Sequence, residues 1–159
     1  MKVAVSCISP VCLVIVLSCV LGCSEGPRRG LPGDRIELKI KAVELIVEIA
    51  CDDLSRSQGL KRRESLPENR GMLFLFPQSK RQGFWMRNTL IPLSIAFIDD
   101  DGTILQIEHM KPHDEGSTVS INRVRYALEM NRDWFSRKGV EVGDKIENLN
   151  EKLRPFRAS

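Results

Sequence analysis

The sequence predicts a mainly β, α+β domain: a compact antiparallel structure, barrel-like or a sandwich, with one or two short helices. Three observations lead there. Apolar and polar residues alternate over short runs such as RIELKI and TILQIEHM, the period of a strand with one wet face. Gly, Pro, Asp and Asn separate these runs at short intervals, as in chains of hairpins. Helical signals are confined to two brief segments.

In RIELKIKAVELIVEIA, Ile36, Leu38 and Ile40 share one parity, and Val43, Leu45, Val47 and Ile49 share the other. Side chains alternate faces with period two, so the switch near Lys41-Ala42 marks a turn or bulge between two strands. In DDLSRSQGLKRR, Asp52 or Asp53 caps a short helix that Gly59 weakens or ends. GMLFLFP reads as a short buried strand stopped by Pro77, and QSKRQG as a loop. FWMRNTLIPLSIAFI holds one or two strands, with Pro92 limiting hydrogen bonding at its position. Asp101-Gly102 makes a hairpin turn into TILQIEHM. Val124 to Met130 forms a strand, followed by a short helix with Gly139 as its C-cap. VEVGDKIEN supplies a turn and a last strand.

The length of 159 residues suits one domain, and 42% hydrophobic with 28% charged residues is a globular balance. The net charge of +3 comes from 24 basic and 21 acidic residues, too mixed for a nucleic-acid partner. At 6% aromatic content, a base-stacking platform is also excluded.

MKVAVSCISPVCLVIVLSCVLGC combines a charged start, an apolar run and small residues at its end, the pattern of a secretory signal. Its Val-Leu-Gly-Cys ending resembles the lipobox of bacterial lipoproteins, which are cut before a cysteine that then carries a diacylglycerol. Here that residue is Cys23. An uncleaved anchor helix over Val3 to Leu21 is the alternative. The expected organisation is a signal over 1–22, an acylated Cys23 and flexible tether over 23–33, one domain over 34–150 and a tail over 151–159. The Gly/Pro-rich tether reaches at most ~35 Å. The protein is then held to a membrane of the cell envelope by its lipid, facing the periplasm or exterior. Once the signal has left and Cys23 is acylated, Cys51 remains alone and has no partner for an internal disulfide.

Several chemistries fail on spacing. His109 and His113 stand four apart, but Pro112 lies between them and strand and loop flank them. In FIDDDGTILQIE, placing Gly102 at the turn of a calcium loop puts Phe97 at the first ligand position, where it cannot coordinate. There is no Gly-x-Ser-x-Gly elbow and no glycine-rich phosphate loop. No metal or cofactor is expected. What remains is a polar group set among apolar runs: Arg63, Asn88, Thr89 and Glu129, beside Trp85 and Met86. Buried polar groups need partners, so these residues form an internal network or a ligand-facing ledge, with Arg63 and Glu129 expected to form a charge pair or to share a hydrogen-bond network near Asn88 and Thr89.

GLKRRESLPENRGMLFLFP, FWMRNTLIPLSIAFIDDDGTI and YALEMNRDWFSRKGVEVGD resemble the bacterial and archaeal family called domain of unknown function 192, or uncharacterised protein family 0127. The resemblance spans about Ile36 to Asn148. It implies a small, mainly β, barrel-like fold and brings no accepted activity, substrate or cofactor. Two positions depart from the family pattern: Ser94 stands where Asp is usual, and Lys61 where Met is usual. A mechanism needing that Asp is therefore not expected here. The leading expectation is a non-catalytic binding domain for an envelope ligand or protein. The alternatives are an envelope hydrolase using Arg63, Asn88, Thr89 and Glu129, and a structural envelope protein acting through protein contacts.

Overall fold

A computed structural model describes residues 30–157. The expected signal and Cys23 lie outside the described residues. The domain is built on one six-stranded sheet in the order β1-β2-β3-β8-β5-β6, formed by β1 (Arg35–Ile40), β2 (Val43–Ala50), β3 (Arg70–Lys80), β5 (Leu93–Ile98), β6 (Ile104–Met110) and β8 (Val124–Asn131). A small ribbon pairs β4 (Gly83–Phe84) with β7 (Thr118–Val119). All pairings are antiparallel except β2 with β3, which α1 (Asp53–Gln58) and the loop after it connect.

The central strands β3, β8 and β5 are buried on both faces, which is why they read as continuous apolar runs. On one face Leu73, Leu75, Ala96, Ile98, Tyr126, Leu128 and Met130 join Leu38, Leu45 and Val47 of β1 and β2. That face is covered by α2 (Trp134–Arg137), α3 (Leu149–Lys152) and the segment between them. On the other face Met72, Phe74, Leu93, Ile95, Phe97 and Ala127 pack against Leu60, Met86 and Ile91 from the loops.

Local expectations hold at several points. Asp52 caps α1 and accepts from the Ser55 amide at 2.7 Å, with Ser55 returning a bond to the Asp52 amide. Gly59 ends that helix at φ 51, ψ −141, a conformation that side chains resist. Lys41 turns the first hairpin and Gly102 the one before β6. At α2 the expectation is off by one residue: the C-cap is Lys138, not Gly139, which follows it in the left-handed region.

Other expectations are corrected. The sheet does not close into a barrel. The segment read as a last strand makes only isolated bridges, Ile146 to Ile40 and Lys145 to Thr103. It lies between strand β1 and the turn before β6, and so covers open edges that would otherwise expose unpaired backbone. Pro77 does not stop β3, because it falls in the irregular stretch between Leu75 and Lys80 where pairing with β8 shifts. Among the described residues there are three short α-helices and a final 3-10 turn. Residues read as a tail are packed, with Leu153 buried and Gly30 donating to the Pro155 carbonyl.

Candidate functional site

Strand parity decides where Glu129 points. Tyr126, Leu128 and Met130 face the α2 and α3 side, so Glu129 shares the opposite face with Ala127. It stands beside Met72 of β3 and Ile95 of β5. Its side chain opens onto a cavity of about 280 Å³.

Each wall of the cavity has a local cause. Arg56 anchors α1 by donating to the carbonyls of Cys51 at 2.7 Å and Leu75 at 2.8 Å. The chain then leaves through Gly59, placing Leu60 and Lys61 along one side. Phe84 stacks edge-on against Phe74 and Phe97, with centroids 5.0 and 5.8 Å apart, and forms an apolar wall. Thr89 is held by loop hydrogen bonds, its amide donating to Met86 and its carbonyl accepting from His113. Trp85 stands at the rim, flanked by the Lys61 ammonium at 5.7 Å and the Arg87 guanidinium at 5.6 Å from its ring centre.

Glu129 is 5% exposed. Among the described residues no side chain or amide bonds its carboxyl, and no sealed side-chain oxygen lacks a partner, so the carboxyl oxygens reach the cavity. Burial alone pushes this carboxyl up to about 8, leaving it mostly protonated at neutral pH. Thr89 is also buried and lines the same space without a side-chain hydrogen bond among the described residues.

The expected residues therefore separate. Thr89, Trp85 and Glu129 meet at the cavity. Met86 is core, 2% exposed, whereas its neighbour Trp85 is 49% exposed. Asn88 is a corner residue at φ 60 whose carbonyl accepts from the Arg62 amide. The expected Arg63–Glu129 pair is not formed. Arg63 instead grips Glu48 with both arms, at 2.9 and 2.6 Å, and holds that carboxyl below its usual range. Glu48 gave no local signal, since it sits on the polar side of an alternating strand. Lys61, Phe74 and Phe84 also escaped the sequence reading. Only the departure of Lys61 from the family pattern set it apart.

A second constellation has the composition of a catalytic triad. Ser94 Oγ lies 2.8 Å from His109 Nδ1 and accepts from the Asp133 amide at 3.0 Å, while His109 Nε2 is 3.6 Å from the Asp133 carboxylate. Ser94 is 0% exposed, so no substrate reaches its hydroxyl. It ties β5, β6 and the start of α2 together. His113 lies on a loop, and no three potential ligands gather for a metal among the described residues. Cys51 is a half-buried free thiol, raised by burial.

Among solved structures, the chain is similar to a Sinorhizobium meliloti protein named a "putative transcription regulator", at 39% identity and TM-score 0.67, covering 71% of this chain and 91% of that one. It is also similar to a protein of unknown function from Novosphingobium aromaticivorans, at 30% identity and TM-score 0.67, covering 71% and 84%. No curated protein matches. The family described as Uncharacterized ACR, COG1430 matches residues 36–148, the strands and loops that build the sheet and the cavity. The chain belongs to that family, domain of unknown function 192.

Proposed function

We propose that this protein is a membrane-tethered binding domain of the bacterial cell envelope, with the Glu129 cavity as its ligand site and no catalytic step. The observation that carries this reading is the Glu129 carboxyl, buried, unpartnered within the described protein and open to a cavity. An unpaired buried acid costs stability, and a ligand that supplies its missing partner offsets that cost. A hydrolytic route has less support, because Arg63 and Asn88 point to other tasks and the serine with a histidine beside it is sealed. The name of the Sinorhizobium protein finds no support here, since 24 basic and 21 acidic residues leave little excess to meet phosphates.

The binding reading is tested by thermal shift of the full-length protein in uncharged detergent against a panel of small molecules. A ligand of the native state raises the midpoint. Hits are expected to lose their shift in Thr89→Val and Glu129→Leu, which remove the two polar groups of the cavity, and hits indifferent to both changes would move the site elsewhere. The tether is tested by palmitate labelling. Cys23→Ser is expected to abolish it, and persistent labelling would sink the lipid anchor.

A further inference from the structure

Charge narrows what the cavity accepts. Arg56 of α1 and Lys61 beyond it lie along one wall, and Arg87, 3.9 Å from Glu115, lies over the Trp85 ring outside the lining. Glu129 is the one acid among the lining residues. The other carboxylates in its row of the sheet are occupied: Glu48 by Arg63, and Glu108 on β6 by the Gln106 amide. Met72 and Ile95, the cross-strand neighbours of Glu129, carry no charge. Arg56 spends its guanidinium on two carbonyls and Asp53, but the Lys61 ammonium gives one bond to the Ser57 carbonyl and retains two donors.

We propose that the cavity takes a compact organic anion, a carboxylate on an apolar or aromatic body, whose oxygens accept hydrogen bonds from the Glu129 carboxyl and the Thr89 hydroxyl while Lys61 supplies the countercharge. The proposal rests on the binding reading above. With its carboxyl held up to about 8, Glu129 is an O–H donor at neutral pH, which suits an incoming oxyanion. A cationic ligand would have to expel that proton and face the Lys61 ammonium, while Arg56 is paired with Asp53 and Arg87 with Glu115. The Phe74 and Phe84 rings provide the apolar wall, and about 280 Å³ suits a ligand of single-ring size.

Three probes of matched shape decide the matter: benzoate, benzamide and benzylammonium, titrated calorimetrically into the full-length protein in uncharged detergent from pH 6 to 9. Benzoate is expected to bind at least about tenfold tighter than the other two at pH 7, because only it complements the lining charge. Its affinity should fall toward about tenfold per pH unit once Glu129 ionises above about pH 8. Glu129→Gln retains a neutral donor and is expected to bind benzoate with a flat pH profile. Lys61→Ala, at a partly exposed wall position where the fold is not at risk, is expected to lose about tenfold in benzoate affinity. Benzylammonium binding that strengthens with pH, or equal pH-independent binding of benzamide and benzoate, would overturn the anion while leaving the cavity a ligand site. Benzoate binding that ignores both substitutions overturns the proposal too. Silence from all three probes ends the anion assignment, and the thermal-shift panel judges the binding reading separately.

Discussion

Glu48 and Glu129 lie in one row of the same sheet face, with only Met72 between them, yet their surroundings push them in opposite directions. Glu48 receives both arms of Arg63 and is held below the ordinary carboxylate range, chiefly by that hydrogen bond. Among the described residues Glu129 receives no hydrogen bond and is raised to about 8 by burial alone. One site is closed chemistry, since donor and acceptor satisfy each other. The other is unfinished, and its open bonds point into the cavity. Burial of a carboxylate thus says little about role until its partners are counted.

The sharpest way to break this comparison is to titrate stability. Below about pH 4.5 both native and unfolded Glu129 hold the proton, and it contributes no pH dependence. Between there and about 8 the native state keeps a proton that the unfolded chain has released, so stability falls as pH rises. The cost is complete above that range, of order 4–5 kcal/mol for a shift of this size. Glu129→Gln removes the ionisation, so denaturant unfolding at pH 9 should find the variant roughly 3–5 kcal/mol more stable than the parent, with the gap closing near pH 5. A constant gap across that range would mean that Glu129 is partnered after all.

Glu48 should behave in the opposite sense. Its native carboxyl is lowered, so its contribution is present above its ordinary value near 4.5 and is lost as pH falls through the lower native value. Arg63→Ala leaves Glu48 without its fork and should cost about 1–2 kcal/mol at pH 7, with acid unfolding shifted accordingly. In a double-mutant cycle, Arg63 should couple to Glu48 by more than ~0.5 kcal/mol and to Glu129 by less. Coupling to Glu129 of the same size would erase the distinction between the two sites.

The smallest effect is expected at the cavity rim. Trp85 is half exposed, so Trp85→Ala should cost below ~1 kcal/mol, against ~3–5 kcal/mol for Trp134→Ala in the sealed core. A large loss at Trp85 in chemical denaturation would make it architecture and weaken the cavity as a ligand site.

These contrasts mark how far the sequence could be read. The alternation of β1 and β2, an aspartate cap at Asp52 or Asp53, a helix weakened or ended at Gly59 and the Asp101-Gly102 turn were all legible, because each depends on residues within a few positions of one another. The polar residues Thr89 and Glu129 were legible as candidates because they interrupt apolar runs. Arg63 was legible as a charge needing a partner, but not as the partner of Glu48. Any acid brought near by the fold would have served, and the parallel pairing of β2 with β3 decided which one came. Adjacent Trp85 and Met86 look alike in sequence, and only the turn of the 85–92 loop sends one to the rim and the other to the core. Likewise, VEVGDKIEN carries strand composition, but bridging between two sheet edges left it room for isolated bridges only. Local backbone preference is written in neighbouring residues. The choice among chemically equivalent distant partners is made by packing, and packing left the buried Glu129 carboxyl without one among the described residues.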